Sequence, residues 1–155
     1  MTNRKITEVF AQIASLLEIK GESVFKVRAY EKAADTIADL TEEVAALRAR
    51  EELRSLSGVG ASIAEKIEEL LDTGECAYHQ ELLAELPPGL LEILEISEVG
   101  PKTVKLLYET LDITSVADLE AAAQAGRLRD IKGLGEKTET NILKGIERMR
   151  RFAER

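Results

Sequence analysis

A chain of 155 residues has room for one domain or two small ones, and abundant Leu, Ile, Ala, Glu, Lys and Arg with only 4% aromatic residues favour amphipathic helices over strands. The expected fold class is therefore all-α. A formal charge of −8 argues at first against a polyanionic partner, and the apolar stretches are too short and too charged to span a bilayer.

The opening "MTNRKITEVF" lacks the apolar core of a signal peptide, so a cytoplasmic location is expected, with no membrane partner. Cys76 has no second cysteine to pair with, and with only His79 nearby "CAYH" reads as helix packing rather than a metal set. The charge is unevenly spread. Glu65 to Glu95 contains nine acids and one base, whereas Lys144 to Arg155 has five bases against two acids. The remainder of such a chain can still present a basic face.

In chain order, Ile6, Val9, Phe10, Ile13, Leu16 and Leu17 follow i, i+3, i+4, i+7 spacing and predict a helix over 3–19 that Gly21 terminates. Ala29, Ala33, Ala34, Ile37 and Leu40 predict a second helix stopping near Thr41. Shorter helices are expected around 42–48 and 50–56, then one from Ala61 to Thr73 closed by Gly74. Pro87 and Pro88 interrupt helix, which places a domain boundary near 86–90 and divides the chain into 1–86 and 87–155.

A unit recurs along the chain. "LRSLSGVGASIAEKIEEL" at 53–70, "LEISEVGPKTVKLLYETL" at 94–111 and "LRDIKGLGEKTETNILKG" at 128–145 each read as a short helix, a glycine turn and a longer helix. Gly58 and Gly60, Gly100, and Gly133 and Gly135 form the turns; in the second copy Glu98 replaces the first glycine and would face an approaching anion. The first N–H groups of each second helix have no helical acceptor, and with the positive end of the helix dipole they make a site for phosphate. Val59, Val99 and Leu134 are expected to pack inward and fix the turn. Polar or basic residues open the second helices: Ser62 in the first copy, Lys102 and Thr103 in the second, Lys137 and Thr138 in the third. Such an arrangement holds DNA by its backbone without reading bases. No strand precedes the turns, so a dinucleotide-binding reading fails, and "GLGEKT" lacks the Gly-Lys-Thr adjacency of a phosphate loop. The plainer alternative is that the turns only join packed helices, as in a protein-interaction scaffold presenting the acidic 65–95 stretch.

These turns match the helix-hairpin-helix motif. Together with "GESVFKVRAYEKAADTIADL" upstream, the order of elements resembles the N-terminal region of bacterial and archaeal family X DNA polymerases over nearly the whole chain. The resemblance implies a lyase-type helical domain with the first hairpin, then a second helical domain with the other two. It also implies gapped or nicked duplex DNA as the partner, in DNA repair of the base-excision kind. The polymerase palm of that family carries an Asp-x-Asp pair; none occurs in these residues, so polymerase chemistry is expected to need a palm domain outside this chain.

Lys66 matches the lysine that, in lyase-active relatives, attacks the abasic sugar as a Schiff-base nucleophile, and Lys26, Arg28 and Tyr30 match that pocket. Such a lysine acts through its neutral amine, and Glu65 and Glu69 beside Lys66 oppose this. Ser62 stands where relatives have a phosphate-binding lysine, Phe25 replaces a histidine, and Glu75 and Tyr78 replace bases. Tyr30 and Tyr108 equally suit core positions with a polar edge. No cofactor is required, but the resemblance implies Na+ or K+ held by backbone carbonyls of Arg54, Leu56 and Val59 in the first turn and Leu94, Ile96 and Val99 in the second.

Overall fold

The computed structural model describes residues 1–154 and is all helical: nine α-helices, two 3-10 turns and no strand among the described residues. The chain divides into two compact units, Met1–Glu85 and Leu86–Arg155. None of the helices is long and apolar enough to cross a membrane.

In the first unit, α1 (Asn3–Lys20) packs mainly along α2 (Val24–Ala38) and also touches α5 (Ala77–Glu85). The apolar stripe read from the sequence is its buried face, with Ile6, Phe10, Ile13, Leu16 and Leu17 almost fully enclosed. Thr2 caps α1 by accepting from the Lys5 N–H at 3.2 Å, and Gly21 ends it in a left-handed conformation, φ 80°. Asn3 joins α1 to α3 (Val44–Ala49): its Oδ1 accepts the Val44 N–H at 2.8 Å, while its Nδ2 donates to the Glu42 carbonyl at 2.8 Å. His79 is buried on α5, 2.7 Å from Gln12 Oε1. Burial, with the Lys5 charge as a smaller cause, keeps its imidazole below the usual range and so favours the neutral ring.

The expected helix over 50–56 is replaced by a tighter arrangement. After α3 the Glu52 N–H donates to the Leu47 carbonyl at 2.8 Å and the Glu51 N–H to the Arg48 carbonyl at 2.9 Å, with Glu51 at φ 57°. This is the hydrogen-bond pattern of a Schellman stop with glutamate in the glycine position. Only a 3-10 turn, Leu53–Ser55, follows before the first hairpin and α4 (Ala61–Thr73). The second helix also ends earlier than Thr41, at Ala38.

The second unit holds α6 (Gly89–Leu94), α7 (Pro101–Leu111), α8 (Val116–Gln124), a 3-10 turn (Leu128–Asp130) and α9 (Glu136–Ala153). Leu90, Ile93, Ile96, Val104, Leu107, Leu119, Leu128, Ile142 and Ile146 form its core. Two glycines permit close approaches. A Cβ on Gly89 would lie 2.1 Å from the Thr114 carbonyl oxygen, and one on Gly145 of α9 would lie 2.7 Å from Ile96 Cγ2 in the second hairpin.

A candidate nucleic-acid interface of three hairpin turns

The three turns share one backbone geometry despite different sequences. Gly58, Glu98 and Gly133 have φ of 79°, 71° and 95°. The residue after each donates back across the turn, Val59 to Leu56, Val99 to Ile96 and Leu134 to Ile131, at 3.1, 3.1 and 3.0 Å. The second glycines are extended: Gly60 (φ −90°, ψ −171°), Gly100 (−100°, 178°) and Gly135 (−119°, −178°) are the N-caps of α4, α7 and α9. Only the first position therefore needs left-handed freedom. Val59 and Val99 are buried as expected, but Leu134 is only half-buried, so the third turn is anchored differently.

That different anchor is an ion pair. Glu139, buried on α9, accepts the Arg129 backbone N–H at 3.2 Å and an Arg129 guanidinium N–H at 2.7 Å, tying the 3-10 turn to the helix it leads into. The Arg129 guanidinium holds the Glu139 carboxyl below the usual range. In the first hairpin the anchor comes from α2: the Thr36 hydroxyl donates to the Ser57 carbonyl at 2.8 Å, and the Lys32 stem lies across Gly58, where a Cβ would come within 2.6 Å of Lys32 Cγ. No local signal marks Lys32 for this role, because its contact joins segments 26 residues apart.

The helix starts differ in how they are closed. Thr2, Ser23 and Ser115 cap α1, α2 and α8 with side-chain oxygens. The hairpin helices α4, α7 and α9 have no side-chain cap, and a Cβ placed on Gly60, Gly100 or Gly135 would meet nothing within 4 Å. No side chain closes their leading N–H groups, an arrangement suited to an anion. Pro101 opens α7 and removes one donor there. Ser62, Lys102 and Lys137 are exposed at these starts, and Thr103 and Thr138 half-buried.

Lys66 lies one turn into α4. Its Nζ donates to Ser62 Oγ at 3.0 Å and sits 5.2 Å from the Tyr78 ring centre and 6.0 Å from that of Tyr30. The two tyrosines stack at 5.9 Å with 25° between their planes, and Phe10 abuts Tyr30 at 5.9 Å. Tyr30 is buried, so its hydroxyl pKa is pushed up to about 12 by desolvation first and by Tyr78 second. Tyr108 is half-buried on α7. Lys66 is half-buried, and neither acidic neighbour pairs with it: Glu69 instead accepts the Ala77 N–H at 3.2 Å, near the start of α5. Glu65 and Glu69 flank Lys66 along the helix as expected, but a backbone donor engages the Glu69 carboxylate. The structure gathers Gly60, Ser62, Lys66, Tyr30 and Tyr78. Lys26 instead faces Glu22 at 3.9 Å, and Arg28 is exposed on α2.

Repeated turn-and-helix geometry of this kind defines the helix-hairpin-helix class. Residues 1–76 match the helix-hairpin-helix domain family and residues 90–148 the SAM-like helix-hairpin-helix tandem. Over 146 residues the chain is 31% identical to the DNA polymerase/3'-5' exonuclease PolX of Bacillus subtilis (strain 168). That similarity takes in 94% of this chain and 25% of the relative, so the chain spans a quarter of the relative's length.

Proposed function

We propose that this chain binds DNA through backbone phosphates without sequence preference, at gapped or nicked duplex, as the DNA-clamping part of a PolX-like repair polymerase. The observation that carries the reading is the set of three matching turns, each opening a helix whose first N–H groups no side chain closes. Lys66 adds a positive charge one turn from the first site, and Lys102 and Lys137 add theirs at the others. Na+ or K+ at the turn carbonyls belongs to the same proposal. The Leu56 and Ile96 carbonyls each accept one N–H bond, from Val59 and Val99, and a carbonyl has a second lone pair for a cation.

Aspartate at the glycine N-caps tests the clamp. In Gly60→Asp and Gly135→Asp the new side chain has space, and an aspartate N-cap should hold or raise thermal stability. The same carboxylate occupies the anion site, so DNA affinity should fall about tenfold per site, the scale of a lost charge-assisted hydrogen bond. Titration of gapped, nicked and intact duplexes at two salt concentrations measures this. Unchanged affinity in both folded variants would remove the clamp, and absence of any binding at low salt would favour a protein-interaction scaffold.

A second reading, 5'-deoxyribose-phosphate lyase activity through Lys66, draws support from the position of this half-buried residue beside Ser62, Tyr30 and Tyr78, with no carboxylate paired to it. Borohydride should then trap the chain on a 5'-deoxyribose-phosphate substrate, and Lys66→Ala should lose the adduct. Equal trapping by parent and variant excludes Lys66 from the role.

A further inference from the structure

The second hairpin keeps the turn of the other two while adding a negative charge at its tip. Glu98 is exposed and holds φ 71° beside the 79° and 95° of Gly58 and Gly133. A left-handed conformation is one that a residue with a Cβ adopts at a cost of roughly 1–2 kcal/mol. The Val99 to Ile96 and Val104 to Gly100 hydrogen bonds, at 3.1 and 3.0 Å, match those of the first turn. The substitution therefore leaves the backbone intact and changes its electrostatics. Pro101 further reduces the donors offered by α7.

We propose that Glu98 is a specificity-determining residue that holds the second hairpin off the DNA backbone, leaving the third turn as the phosphate contact of the second unit. This inference rests on the DNA-clamp reading. A carboxylate at the tip of the turn meets an approaching phosphate with like charge before Lys102 can engage it. Repulsion of this kind sets which of several similar surfaces a polyanion selects. The unit then retains a correctly shaped turn whose charge decides whether it is used.

Two variants separate charge from backbone strain. Glu98→Gln removes the charge and keeps the Cβ, whereas Glu98→Gly removes both. Both should bind gapped duplex about fivefold more tightly at low salt, the scale of one water-screened like-charge contact. Each should also steepen the dependence of affinity on salt by about one phosphate contact. Thermal stability should rise in Glu98→Gly alone, where the strain is relieved. A gain in affinity confined to Glu98→Gly would assign the effect to backbone strain and overturn the inference. So would unchanged affinity in both variants while the parent binds DNA and Gly135→Asp weakens it; the clamp reading would survive that result. Absence of DNA binding by parent and variants alike would bring down the clamp reading and this inference with it.

Discussion

Gly89→Ala is expected to destabilise the second unit by about 3 kcal/mol, at the upper end of what overpacking costs. The added methyl would lie 2.1 Å from the Thr114 carbonyl oxygen and 3.1 Å from both the Thr114 carbonyl carbon and Ser115 Cα. All three are backbone atoms and have little freedom to yield. Asp118 Oδ2 accepts from the Thr114 N–H and hydroxyl, each at 3.2 Å, while the Ser115 hydroxyl accepts the Asp118 N–H at 3.0 Å as the cap of α8. The start of α6 and the loop into α8 are thus held together at a distance only glycine permits. Urea denaturation of the full chain measures the loss, with Gly60→Ala as the comparison because nothing lies within 4 Å of its new Cβ. A loss no larger than in Gly60→Ala would show that α6 can move away at little cost.

Phe10→Ala should remove about 3–5 kcal/mol from the first unit, the range for truncating a buried aromatic. Phe10 is fully enclosed and abuts Tyr30, which stacks on Tyr78, above which Lys66 Nζ sits. Core and candidate site are therefore one continuous column of contacts. The cavity should loosen the tyrosine stack as well as lower stability, so the near-ultraviolet circular dichroism of the tyrosines should weaken in the still-folded variant. Phe10→Leu, which fills most of the volume, should retain much of both. An unchanged tyrosine signal in folded Phe10→Ala would uncouple the core from the Lys66 surroundings.

The helices and the hairpins were legible because each rests on a local signal. Ile6 to Leu17 repeat at helical spacing, Gly21 and Gly74 occupy left-handed caps, and the three repeats share an outline. The repeat also marked Glu98 as standing in a glycine position, whereas nothing local marked Glu51 as a helix stop. Glu51 stops α3 and Glu98 forms a turn, both at positive φ that glycine usually takes, because backbone hydrogen bonds and packing outweigh the preference of the side chain. The repeat located Gly58 and Gly60 but could not divide their roles between a left-handed turn and an open helix cap. Contacts distant in sequence were also hidden: Lys32 over Gly58, Arg129 with Glu139, and Tyr78 beneath Lys66. Helical spacing put Glu69 beside Lys66 but could not foresee the Ala77 N–H that takes its carboxylate.

The uncapped glycines at the hairpins set heat resistance and DNA binding against each other. Glycine gives up only a few tenths of a kcal/mol against serine or threonine at an N-cap, so leaving α4, α7 and α9 open demands little of the fold. A selection for heat resistance alone would favour serine or aspartate at 60 and 135, where the backbone is already extended and space is available. On the proposed clamp, each such gain would fill the place of a phosphate. The most durable version of this chain and its best DNA-binding version are different sequences, separated at these two positions.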